Sequence, residues 1–101
     1  MNKLTHTQIE NELLKLNNWN LRDNSLSKIY KLSSFMNVMS LSNLVSDKAE
    51  QIDHHPKMII DYKTIEFHLS THSVGAITVL DFELANFIED TVNELFKPNE
   101  I

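Results

Sequence analysis

The sequence predicts an α+β fold: one domain in which a four-stranded antiparallel sheet carries its helices on one face, in the order α-β-β-α-β-β-α. Three observations predict it. Apolar spacing switches between a helical period and strict alternation, and turn-forming residues separate the alternating segments in pairs. A chain of 101 residues with 42% hydrophobic content is long enough for one core and too short for two, so residues 1–101 form a single domain.

The elements follow in order. Thr5 stands three residues before Gln8, a capping-box spacing, and Ile9, Leu13 and Leu16 then recur helically up to about Asn17. Trp19 and Leu21 share one face of a short strand, Asp23-Asn24 makes a tight turn, and Leu26 to Leu32 returns as its partner. Ser33 or Ser34 caps a second helix whose stripe is Phe35, Val38, Leu41, Val45, Ala49 and Ile52. Pro56 disfavours helical dihedrals at His55, so the helix stops there. Met58 to Tyr62 reads as a third strand, Lys63-Thr64 as a turn, and Ile65, Phe67 and Leu69 alternate with Glu66, His68 and Ser70 in a fourth. Thr78 and Asp81 form a second capping-box pair, opening a helix with Leu84, Phe87 or Ile88, Thr91 and Leu95 inward and Pro98 at its close.

Composition removes several function classes. Cys is absent, which excludes disulfides, thiolate nucleophiles and Cys-ligated zinc. A net charge of −5 without a Lys/Arg cluster is poor electrostatics for a phosphate backbone, so no direct nucleic-acid partner is expected. No apolar run resembles a signal peptide or reaches bilayer-spanning length, and the expectation is a cytoplasmic protein away from membranes. The uncovered sheet face and open edges call for solvent or a second subunit.

The chemistry-bearing residues are concentrated. His54-His55 lies at a helix C-terminus between Glu50 and Pro56, and His72 and Asp81 fall between the last strand and the last helix. Imidazole gives or takes a proton near neutral pH, so the cluster points to proton transfer or a metal. Glu50 precedes His54 by four residues, which on a helix places the carboxylate beside that ring and fixes its orientation.

Glu50, His54-His55-Pro56, Tyr62, Ser70-Thr71-His72 and Asp81, with Ala49, Asp53, Gly75, Thr78 and the stretch Leu84 to Ile88, resemble the pterin-4a-carbinolamine dehydratase family over nearly the whole domain. The resemblance implies removal of water from 4a-hydroxytetrahydrobiopterin to give quinonoid dihydropterin, in tetrahydrobiopterin recycling, with no cofactor and no metal. It implies His54 and His72 as an interchangeable acid–base pair on opposite sides of the pterin, and His55 as the residue that binds and orients it. It also implies Asp53, Ser70 and Thr71 at the substrate, Glu50 and Asp81 steering imidazoles, and a homo-oligomer, dimer or tetramer. The chain departs from the family pattern at Met58, where an aromatic residue is common, and at Ala76, where a second glycine is frequent.

Plainer readings stand beside these. Asp81 is also a carboxylate favoured at a helix N-terminus, Glu50 a solvated helix residue, His55 a cap for terminal carbonyls and Tyr62 strand packing. His6 and His68 read as surface residues, and Trp19, Met36, Met39 and Met58 as core or interface. Two other function classes compete: a metalloprotein using His54, His55, His72 and Asp81 as ligands, and a non-catalytic interaction module, since the family resemblance also implies dimerisation partners of a transcription factor.

Overall fold

Asp23 and Asn24 adopt left-handed φ angles of 52° and 61°, and this two-residue reversal joins β1 (Asn20–Arg22) to β2 (Ser25–Lys31). The computed structural model describes residues 2–96. A second hairpin joins β3 (Lys57–Asp61) to β4 (Thr64–Leu69), with Asp61 opposite Thr64. Its turn is Tyr62-Lys63, one residue earlier than expected, because Tyr62 takes φ 53° and leaves the strand. Tyr62 is consequently exposed at the turn and does not pack in the sheet.

The strands form one antiparallel sheet in the order β1-β2-β4-β3. Leu26 faces Leu69, and Tyr30 faces Ile65; with Phe67 these residues make the buried face, on which α1 (His6–Leu13), α2 (Phe35–Ile52) and α3 (Val79–Leu95) pack. α2 contributes Val38, Leu41, Val45 and Ala49, and α3 contributes Phe82, Leu84, Ala85, Ile88 and Val92. Burying each large side chain stabilises the fold by about 1.5–3 kcal/mol before entropy is counted. On the opposite face, Ile29 and Ile59 flank Glu66 and stay exposed, and His68, expected at the surface, is half-buried against Glu66 at 2.5 Å.

The caps form as the sequence indicates. Thr5 Oγ1 accepts from Gln8 N at 3.1 Å while Gln8 Oε1 accepts from Thr5 N at 2.8 Å, and Ser34 Oγ accepts from Asn37 N at 3.0 Å. Three positions expected on the helical stripes differ, one in its element and two in burial. α1 ends at Leu13, where tighter i→i−3 bonds from Lys15 and Leu16 take over, so Leu16 is buried from a turn. Phe35 at the first residue of α2 and Leu95 at the last of α3 project beyond the sheet and are exposed. Pro98 lies outside the described residues.

A positive φ at Asn18 (61°) delivers Trp19 into the core just before β1 rather than within it, where it meets Tyr30 edge-on at 6.4 Å. Trp19 Nε1, Lys28 Nζ and Tyr30 Oη all donate to Oε1 of Glu89 on α3, at 3.2, 2.9 and 2.5 Å. This polar knot ties α3 to the first hairpin from three positions distant in sequence. Burial pushes the Glu89 carboxyl up, but hydrogen bonds from Lys28, Tyr30 and Trp19 outweigh it and hold the group below the usual glutamate range. Burial, then the hydrogen bond and charge of Glu89, push the Tyr30 hydroxyl well above its ordinary value.

Candidate active site

The end of α2 separates the two adjacent histidines. Asp53 adopts φ 51° and ψ 49°, a left-handed cap whose N–H bonds back to Ala49 and Glu50, and His54 N follows onto Ala49 O at 2.9 Å. This reversal turns His54 inward, to 7% exposure, and leaves His55 outside. Pro56 disfavours helical dihedrals at His55, and the chain passes directly into β3.

Each imidazole has its own carboxylate, and the pairing differs from the helical expectation. Glu50 does not meet His54, because the helix has ended before the fourth residue; its Oε2 meets His55 Nε2 at 2.5 Å in a largely exposed pair. His54 Nε2 instead meets Asp81 Oδ1 at 2.6 Å, with Asp81 wholly buried. The second oxygen of Asp81 accepts from Thr71 Oγ1 at 2.8 Å and from Thr78 N at 2.9 Å. Asp81 therefore both completes the capping box of α3 and props His54. The capping pattern was visible in the sequence and the family resemblance implied that Asp81 steers an imidazole; that this imidazole is His54, 27 residues away, was left open.

His72 lies in the loop that follows β4. Thr71 and Ala76 bridge the base of that loop, with Thr71 N donating to Ala76 O at 3.0 Å, and Gly75 N closes onto Thr71 O at 2.9 Å. Gly75 takes φ 62°, and a Cβ there would meet nothing within 4 Å, so the backbone angle, not crowding, asks for glycine. His72 is exposed on this loop, one residue beyond Thr71 and hence one residue from the support of Asp81. Asp53 is exposed at the helix cap and Ser70 is half-buried. Thr71, expected at the substrate, is 5% exposed and spends its hydroxyl on Asp81 and Thr78, so its side chain belongs to the support.

His54 Nδ1 is the open atom of the buried ring. Asp81 engages only Nε2, and Nδ1 makes no hydrogen bond among the described residues. No group of three or more His, Asp or Glu among the described residues gathers as a metal ligand set. Three surface hollows of about 410–420 Å³ lie against α1, the first lined by Leu4, Gln8 and Phe82, the second by Thr5, Leu21 and Val74 and the third by Glu10, Leu13 and Leu14; none of them contains His54, His55 or His72. No described helix is long and apolar enough to cross a membrane.

The protein is a helix-backed antiparallel sheet that holds one imidazole on a buried carboxylate at a helix end, a second on an exposed carboxylate beside it, and a third on the loop after β4. The chain belongs to the pterin 4 alpha carbinolamine dehydratase family, whose sequence profile matches residues 2–91. A protein of Sulfurisphaera tokodaii named for pterin-4-alpha-carbinolamine dehydratase is 37% identical over 90 residues, spanning 89% of this chain and 97% of its own. A protein of Picosynechococcus with the same designation is 34% identical over 83 residues, spanning 82% and 90%. Among solved structures, the transcriptional coactivator/pterin dehydratase of Brucella melitensis superimposes with a TM-score of 0.85 at 26% identity, covering 88% of this chain and 97% of that one.

Proposed function

We propose that this chain removes water from 4a-hydroxytetrahydrobiopterin to give the quinonoid dihydropterin, by histidine general acid–base catalysis, within tetrahydrobiopterin recycling. The carrying observation is the His54–Asp81 pair: a ring held through Nε2 by a buried carboxylate, with Nδ1 open to receive or deliver a proton. The reaction is balanced by proton movement alone. One imidazole protonates the 4a-hydroxyl, which leaves as water, and another group takes the proton from the ring nitrogen as the new double bond forms.

His54 and His72 serve as the interchangeable acid and base, His55 binds and orients the pterin on its Glu50 support, and Asp53 and Ser70 contact the substrate. The protein works in the cytoplasm as a homo-oligomer, and the unpaired edges β1 and β3 with exposed Ile29 and Ile59 support assembly. A second reading, an interaction module, draws on the same exposed sheet face and on the coactivator designation of the Brucella relative.

The test is a stopped-flow measurement of 4a-hydroxytetrahydropterin decay with wild type, His54→Ala and His72→Ala. Each substitution is expected to slow dehydration by about 10²-fold or more. Unchanged rates in both variants refute the mechanism and favour the module.

A further inference from the structure

The geometry points to Thr71 and Thr78 as positioning residues that fix His54 with its proton on Nε2 and its bare Nδ1 toward the reactant, an inference that rests on the dehydratase reading for its catalytic consequence. It follows from counting protons in a buried chain. Thr71 Oγ1 lies 2.8 Å from Asp81 Oδ2 and 2.8 Å from Thr78 Oγ1, and a hydroxyl has one proton to give. Thr78 Oγ1 also accepts from Leu80 N at 3.2 Å, as the cap of α3.

Only one direction satisfies every group. If Thr78 O–H donates to Thr71 and Thr71 O–H donates to Asp81, each hydroxyl proton has an acceptor. If the chain ran the other way, from a protonated Asp81 through Thr71 to Thr78, the Thr78 proton would be left without an acceptor at a residue with 0% exposure. Asp81 Oδ2 is therefore an acceptor, and because imidazole is the stronger base of the pair the proton shared with His54 sits on the ring, so Oδ1 accepts as well. Oδ2 takes Thr71 O–H and Thr78 N–H, and Oδ1 takes the proton of His54 Nε2. In the neutral ring that places the lone pair on Nδ1, the atom that Asp81 leaves unengaged.

Thr71 couples this support to the second imidazole. The residue whose side chain holds Asp81 also anchors the loop of His72 through its backbone, by bonds to Ala76 and Gly75. Thr71 thus joins the support of His54, through its hydroxyl, to the loop that carries His72, through its backbone. This differs from a substrate contact, which would be felt in binding; a positioning role is felt in turnover.

The test uses the full chain with Thr71→Val, which keeps the shape and removes the hydroxyl, and Thr71→Ser, which restores the hydroxyl. ¹⁵N NMR of the His54 ring in the ligand-free protein is expected to show the Nε2-protonated tautomer in wild type and Thr71→Ser, and a mixture of tautomers in Thr71→Val. With 4a-hydroxytetrahydropterin, kcat of Thr71→Val is expected to fall about tenfold while KM stays within about twofold, and Thr71→Ser is expected to recover. A folded Thr71→Val with the wild-type tautomer overturns the inference, as does a raised KM at unchanged kcat. Should Thr71→Val not fold, the wild-type spectrum decides, because a His54 ring protonated on Nδ1 overturns it without any variant. The expected tautomers in a wild type that does not dehydrate the pterin would support the positioning chain and refute the proposed activity.

Discussion

Replacing Glu89 with Ala tests whether the polar knot on α3 holds the first hairpin to the helices. One oxygen of Glu89 takes donors from Trp19, Lys28 and Tyr30, and Trp19 and Tyr30 are each only 7% exposed. A buried donor left without an acceptor costs about 1–3 kcal/mol. Tyr30, with the shortest bond, falls toward the top of that range and Trp19, at 3.2 Å, toward the bottom. Lys28 loses its ion pair but keeps Asn17 O at 2.7 Å and its place 4.6 Å over the Tyr30 ring, so its share is smaller. Together these predict a loss of about 3–5 kcal/mol, a large fraction of the 5–15 kcal/mol typical of a domain. Glu89→Gln keeps an acceptor oxygen and is expected to lose about 1–2 kcal/mol. Adding Tyr30→Phe to Glu89→Ala is expected to recover about 1 kcal/mol, because it removes the stranded hydroxyl. Urea unfolding followed by far-UV circular dichroism measures each value. The pH dependence gives a second reading. With its folded pKa depressed, Glu89 contributes stability that is present above the ordinary glutamate value and is lost as pH falls through the folded one; Glu89→Gln should lack that acid-side slope. A Glu89→Ala protein that loses less than about 1 kcal/mol at unchanged m refutes the reasoning.

Two further outcomes follow from the core and the helix cap. Phe67 is fully buried on β4, between β2 and β3 and edge-on to Tyr30 at 6.1 Å, so Phe67→Ala is expected to cost about 3–5 kcal/mol by the same unfolding assay. Asp53→Gly relieves a left-handed non-glycine residue and is expected to raise Tm by roughly 2–4 °C while slowing dehydration, which thermal melts and stopped-flow decay would show as opposite changes in one variant.

The fold was legible wherever local rules act alone. Ile65, Phe67 and Leu69 alternate because one sheet face is dry, Asp23-Asn24 tolerates the two positive φ angles of a tight hairpin, and Thr5, Ser34 and Thr78 cap because a hydroxyl meets free helical N–H groups. Legibility ends where a residue acts against its local habit. Tyr62 takes a left-handed angle that aromatic residues seldom adopt, and the second turn moves by one position. In the candidate site, the sequence named the imidazoles and carboxylates but gave Glu50 to His54 where the structure gives it to His55, since the four-residue rule assumes a helix that Asp53 has already ended. The Glu89 knot had no local signal, for its donors come from positions 59 to 70 residues away.

That early ending of α2 also decides which carboxylate matters more. Had the helix run on, both histidines would have stayed on a solvated surface with Glu50 as their neighbour. The reversal at Asp53 instead sends one ring inward to a carboxylate at 0% exposure and leaves the other with a partner whose side chain is 77% exposed. Water and salt weaken the outer pair, whereas the inner one has its geometry imposed by Thr71 and Thr78 as well as by charge. The two histidines, adjacent in sequence, are therefore unequal by construction. His54 is held in one orientation by a buried carboxylate, and His55 is left with an exposed partner that constrains it less.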